Sequence, residues 1–101
     1  MVRVTLWMNV PAACAAEFER AWRDVAAVAR CAAGNLRQDL LRDPRDPSSF
    51  VITSDWVSHD AFERFEKSPE QDALVAPLVR LRESVRMTSH DIVAHVEGRG
   101  E

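Results

Sequence analysis

Ser49-Phe50-Val51-Ile52-Thr53-Ser54-Asp55-Trp56-Val57-Ser58-His59-Asp60-Ala61-Phe62-Glu63-Arg64-Phe65 changes its hydrophobic period partway along, from two residues to between three and four. Phe50, Ile52, Ser54 and Trp56 fall on one face of a strand and Val51, Thr53, Asp55 and Val57 on the other. Ala61, Phe62 and Phe65 then follow at helical spacing. Ser58 is predicted to cap that helix, its side-chain oxygen accepting from an N–H of the first turn. Asp60 lies favourably against the positive end of the helix dipole. A strand that runs straight into a helix, with tryptophan at the junction, marks the edge of a ligand pocket in a small α+β domain.

Working outward, Val2, Val4, Leu6, Met8 and Val10 alternate with Arg3, Thr5, Trp7 and Asn9, which predicts a first strand ending at Pro11. Ala12 to Cys31 is rich in helix formers. Phe18, Ala21, Trp22, Val25, Val28 and Ala29 form its apolar stripe before the stop signal Gly34-Asn35. Leu36, Gln38, Leu40 and Arg42 alternate with Arg37, Asp39 and Leu41 as a second strand. Asp43-Pro44-Arg45-Asp46-Pro47-Ser48 then predicts a hairpin loop longer than the tightest turns. Beyond the helix from Ser58 to Lys67, Ser68, Pro69 and Gln71 give an N-cap, a proline at the first helical position and a capping-box glutamine. Leu74, Leu78 and Leu81 supply the stripe of this next helix, and Pro77 is expected to kink or divide it. Val85 to Val96 alternates as a last strand.

The order βαββαβ predicts a ferredoxin-like four-stranded antiparallel sheet with helices on one face. One domain is expected over residues 1–97, with 98–101 as a polar tail. Trp7, Val51 and Val57 leave the helix-free face too apolar for a solvated sheet, so a homodimer through sheet faces is expected.

Composition excludes several classes of partner. Thirteen basic and 16 acidic residues are interleaved, for a net charge of −3, leaving no basic stripe for nucleic acid and no cationic face for membranes. Apolar runs such as Val25 to Val28 are far too short to span a bilayer, and Met1 leads directly into strand pattern, so a cytoplasmic protein is expected. Cys14 and Cys31, near opposite ends of one predicted helix, lie about 25 Å apart at a rise of roughly 1.5 Å per residue, beyond disulfide reach. Neither a glycine-rich phosphate loop nor Cys/His metal-ligand spacing occurs.

From Val4 to Val96 the chain resembles an antibiotic-biosynthesis monooxygenase (ABM) domain of the dimeric α+β barrel superfamily. The resemblance is carried by Ala16-Glu17-Phe18-Glu19 opening the first helix, Gly34-Asn35-Leu36 opening the second strand, Phe50 to Phe62 at the strand-to-helix signature, and Ser68-Pro69 before the next helix. Members in aromatic polyketide pathways oxidise phenolic or anthrone-type rings with O2 and without flavin, haem or metal. The resemblance therefore implies a cofactor-free monooxygenase, with an aromatic small molecule and O2 as its partners. Trp56 matches the family's pocket tryptophan, and Arg80 corresponds to an arginine late in its second helix. Ile52 stands where polyketide monooxygenases carry an asparagine.

The expected catalytic residues are thus Trp56 and Arg80, together with His90, whose parity with Ile92 and Ala94 points it inward as a base near neutral pH. Ile52, Ser54, Phe62, Phe65, Leu74 and Leu78 are expected to line the substrate pocket. Trp22 belongs to the core stripe, Trp7 to the dimer face, and His59, His95, Arg82 and Arg86 to the surface. Ile52 keeps a second reading open: a polyketide-binding, cyclase-like or scaffold protein that retains an apolar cavity without the oxygen-handling donor.

Overall fold

The computed structural model describes residues 1–101. Strand β1 (Val2–Asn9) leads through a short 3-10 turn (Ala12–Cys14) into helix α1 (Ala15–Ala29). Strands β2 (Asn35–Asp43) and β3 (Asp46–Trp56), helices α2 (His59–Glu66) and α3 (Pro69–Leu81), and strand β4 (Ser84–Asp91) follow. The strands lie in the order β2-β3-β1-β4, every neighbouring pair antiparallel. This is the expected ferredoxin-like α+β sheet, with the second helical region formed by α2 and α3 in succession, as the capping signals at Ser58 and Ser68 predict.

Register fixes which side chains share a face, because directly opposed residues point to the same side. Val2, Val4, Leu6 and Met8 oppose Trp56, Ser54, Ile52 and Phe50 on the helix-covered side. The other side carries three rows across the sheet. Trp7, Val51 and Leu41 form a largely apolar row ending in Arg86; Thr88, Thr5, Thr53 and Asp39 a polar one; His90, Arg3, Asp55 and Arg37 a charged one. The Arg86 guanidinium stacks 4.7 Å from the Trp7 ring centroid, a cation–π contact.

The structure corrects four expectations. The β2–β3 hairpin closes through Pro44 and Arg45 alone, because Asp43 Oδ1 accepts from the Arg45 N–H at 2.8 Å and Asp46 Oδ1 from the Ser48 N–H at 3.0 Å. These local bonds let the polar cluster turn tightly. Of the kink or division expected at Pro77, division does not occur, and helix α3 runs through it; the ring costs one helical hydrogen bond, to the carbonyl four residues back, without ending the helix. Strand β4 ends at Asp91, not Val96, because β1 begins opposite it at Val2. The Ile92 N–H bond to the Met1 carbonyl, 2.9 Å, is the last link. Helix α1 stops at Ala29, two residues short of Cys31.

The core between sheet and helices is split. One cluster gathers Met8, Val10, Phe18, Val25, Phe50 and Leu78; the other gathers Val2, Val4, Trp56, Ala61 and Phe62. Phe18 and Phe50 are fully buried with ring centroids 5.1 Å apart, each contributing about 1.5–3 kcal/mol of burial free energy.

Candidate active site

The gap between the two core clusters is a cavity of about 120 Å3. Its sheet wall comprises Val4 and Leu6 of β1, Gln38 of β2, Ile52, Ser54 and Trp56 of β3, and Met87 of β4. Its helix wall comprises Trp22, Val25 and Ala29 of α1, Phe62, Phe65 and Glu66 of α2, and Gln71, Val75 and Leu78 of α3. A larger hollow of about 560 Å3 over Asp60, Glu63, Arg64, Lys67 and Ser68 has no hydrophobic lining residue, unlike the apolar pockets that usually take small molecules.

The β3–α2 junction sets the geometry. Ser58 Oγ accepts from the Ala61 N–H at 3.1 Å, the predicted cap, while the Val57 N–H donates to the Gly34 carbonyl at 2.9 Å. Gly34 has φ +88, and a Cβ there would lie 2.6 Å from Ala61 Cβ and 2.9 Å from Val57 Cγ2. Only glycine meets both demands, so the predicted helix stop also lets α2 press against the start of β2.

Trp56 is 1% exposed. Phe62 packs edge-on at 5.7 Å and Phe65 tilted at 5.3 Å between centroids. The Trp56 indole N–H donates to Ser54 Oγ at 2.9 Å. A hydroxyl that accepts one hydrogen bond still has its own proton to give, and Ser54 uses that proton on no protein acceptor. The indole N–H of Trp56 is therefore engaged within the protein, and the hydroxyl of Ser54, which lines the cavity, keeps its proton free for a ligand.

Six of the nine expected site residues line the cavity: Trp56, Ile52, Ser54, Phe62, Phe65 and Leu78. Three do not. Arg80 is exposed in the last turn of α3. His90 is exposed on the opposite side of the sheet, across from Arg3, because its strand parity is outward. Leu74 packs against the first core cluster, one position from the cavity residue Val75. Arg82, expected at the surface, is half-buried, and desolvation lowers its pKa.

Sequence reasoning missed Trp22, Gln38, Glu66 and Gln71. Trp22 was assigned to the core stripe, which it joins while also facing the gap. Gln38 carried a usable signal, a polar residue sharing parity with Leu36 and Leu40; its Nε2 donates to the Ala26 carbonyl at 2.7 Å. The capping box at Gln71 is only half formed. Ser68 Oγ accepts from the Gln71 N–H at 3.3 Å, but the Ser68 N–H goes to the Phe65 carbonyl, and the Gln71 side chain lines the cavity instead.

Away from the cavity, Arg3 clasps Asp55 through Nε to Oδ1 at 2.7 Å and Nη2 to Oδ2 at 2.9 Å. That hydrogen bond holds the Asp55 carboxyl below its usual range against the opposing effect of desolvation. No three His, Cys, Asp or Glu side chains converge as a metal-binding group, and no helix is long and apolar enough to cross a membrane.

No curated relative matches the sequence significantly. Among solved structures, SnoaB from Streptomyces nogalater, a cofactor-independent oxygenase, is 25% identical with a TM-score of 0.82 over 99% of this chain and 97% of its own. An asparagine-to-alanine variant of SnoaB, also 25% identical, gives a TM-score of 0.87 over 96% and 97%. A structure from Deinococcus radiodurans, 21% identical, gives a TM-score of 0.85 over 99% and 100%, a likeness of fold alone. The family described as antibiotic biosynthesis monooxygenase matches residues 1–77, most of the chain, and the protein belongs to that family.

Proposed function

We propose that the protein oxidises a phenolic or anthrone-type aromatic substrate of antibiotic or polyketide biosynthesis with O2 and without flavin, haem or metal. The observation that carries this reading is the largely apolar cavity walled by Trp56 and Ser54 in a chain of this family. The likeness to a cofactor-independent oxygenase supports it. The substrate, as phenolate or enolate, passes an electron to O2, the radical pair combines, and the peroxide collapses to a quinone and water. The protein excludes water, holds the ring, and stabilises the developing oxyanion through the Ser54 O–H, oriented by Trp56.

A volume of about 120 Å3 is small beside the roughly 300–1,000 Å3 of typical ligand pockets. It holds one aromatic ring. A polycyclic substrate places its phenolic end among Trp56, Ile52 and Phe62 and displaces the α2–α3 side outward. The outer sheet face supports a homodimer: Trp7 is 38% and Leu41 49% exposed there, and the buried Thr88 Oγ1 on the same face lacks a hydrogen-bond partner.

Ile52, an apolar side chain in the cavity wall, favours a second reading: a polyketide-binding, cyclase-like or scaffold protein. Aerobic and anaerobic incubation with dithranol separates the two. O2-dependent quinone formation above the uncatalysed rate is the expected result, and ring binding without acceleration would leave only the second reading.

A further inference from the structure

Glu66 is the only titratable side chain among the cavity-lining residues. It forms no ion pair, because the neighbouring Lys67 reaches Glu63 at 3.7 Å, as does His59 at 3.1 Å. It is also the last residue of α2, where the negative end of the helix dipole disfavours a carboxylate. A half-buried glutamate without a cation, at the wrong end of a helix and sharing the cavity wall with Phe62 and Phe65, breaks several local rules at once, and such departures concentrate at functional sites. Opposite it, the sheet wall offers the unspent Ser54 proton. A carboxylate base and a neutral hydrogen-bond donor sharing one largely apolar cavity are the parts needed to remove a proton α to a carbonyl and hold the resulting oxyanion.

We propose that Glu66 is the general base of this cavity, with Ser54 as the oxyanion donor, selecting substrates that carry an acidic C–H or O–H. With an anthrone, the methylene C–H bond breaks, its electron pair remains as the enolate, the proton passes to Glu66 and the enolate oxygen accepts from Ser54. Addition of O2 gives a peroxide anion, which takes back the proton from Glu66. Glu66 then removes the second C–H proton; the C=O bond forms, the O–O bond breaks, and the departing hydroxide takes that proton as water. One anthrone and one O2 yield one quinone and one water. Only the steps after enolisation rest on the oxygenase reading.

Proton transfer is tested without oxygen, by following deuterium exchange at the methylene of dithranol in anaerobic D2O. The wild type exchanges above background. Glu66→Ala and Glu66→Gln lose at least about a hundredfold of that acceleration, in line with general-base effects, and formate partly restores Glu66→Ala but not Glu66→Gln, where the amide occupies its place. Ser54→Ala slows exchange by about tenfold or more, the lower end of what a lost oxyanion donor costs. Exchange at wild-type rate in Glu66→Gln, or none in the wild type, overturns the proposal. Anaerobic exchange followed by no O2 uptake above the uncatalysed rate when air is admitted upholds the base while refuting the oxygenase.

Discussion

Substituting Gly34 by alanine strains the contact that seats α2 beside the cavity. A non-glycine residue in the left-handed region costs roughly 1–2 kcal/mol. The new Cβ, 2.6 Å from Ala61 Cβ and 2.9 Å from Val57 Cγ2, adds an overpacking cost of about 1–3 kcal/mol. Reduced freedom of the unfolded chain returns roughly 0.4–1 kcal/mol, leaving a net loss of about 1–4.6 kcal/mol. For a domain of this size that lowers Tm by roughly 4–37 °C, at about 4–8 °C per kcal/mol. Thermal and urea unfolding by circular dichroism measure it, with Gly98→Ala as the control because nothing lies within 4 Å of a Cβ there. The strain must also move Ala61, and with it Phe62, Phe65 and Glu66, so ligand binding in the cavity weakens as well. A Tm loss below about 3 °C, comparable to an ordinary surface change of roughly 0.5 kcal/mol, would refute the argument that only glycine fits.

Trp56→Phe removes the N–H that orients Ser54 and is expected to lower oxidation about tenfold, with a stability loss of about 1–2 kcal/mol for the lost hydrogen bond and ring volume; steady-state rates and urea titration check both. Asp55 has a folded pKa below its unfolded value of about 3.9. Its contribution is therefore present above roughly pH 4 and lost as pH falls through the folded pKa. For a pair with a largely exposed Arg3 that contribution is at most about 1 kcal/mol, so Asp55→Asn narrows the stability gap between pH 6 and pH 3 by about that amount. Trp7→Asp places a charge in the apolar row of the outer face, and sedimentation at micromolar concentration is expected to change from dimer to monomer.

The order of elements and the strand parity of β1 and β3 were legible because apolar residues repeat at period two on strands with one covered face. The cap at Ser58 was equally plain, since its hydroxyl has a local task that sequence spacing reveals. The site was only partly legible. Trp56, Ile52, Ser54 and Phe62 could be placed because strand and helix periods converge at one junction. Gln71 and Glu66 could not, because a glutamine three residues after a serine looks like a cap and a glutamate at a helix end looks solvated. Whether such side chains meet a cavity depends on how α2 and α3 pack over the sheet, which is tertiary. His90 failed for a related reason: inward parity was read from Ile92 and Ala94, beyond the point where β4 ends at Asp91. Arg80 was placed by family resemblance, and the face of α3 that it occupies is turned to solvent.

The central claim is that this cavity couples an aromatic substrate directly to O2. Oxidation of dithranol under 18O2 by metal-chelated protein tests it most directly. The account predicts one labelled oxygen in the new quinone carbonyl, the other in water, and an O2 consumption equal to quinone formed. Product lacking the label, or a rate no greater than the uncatalysed reaction, would contradict it.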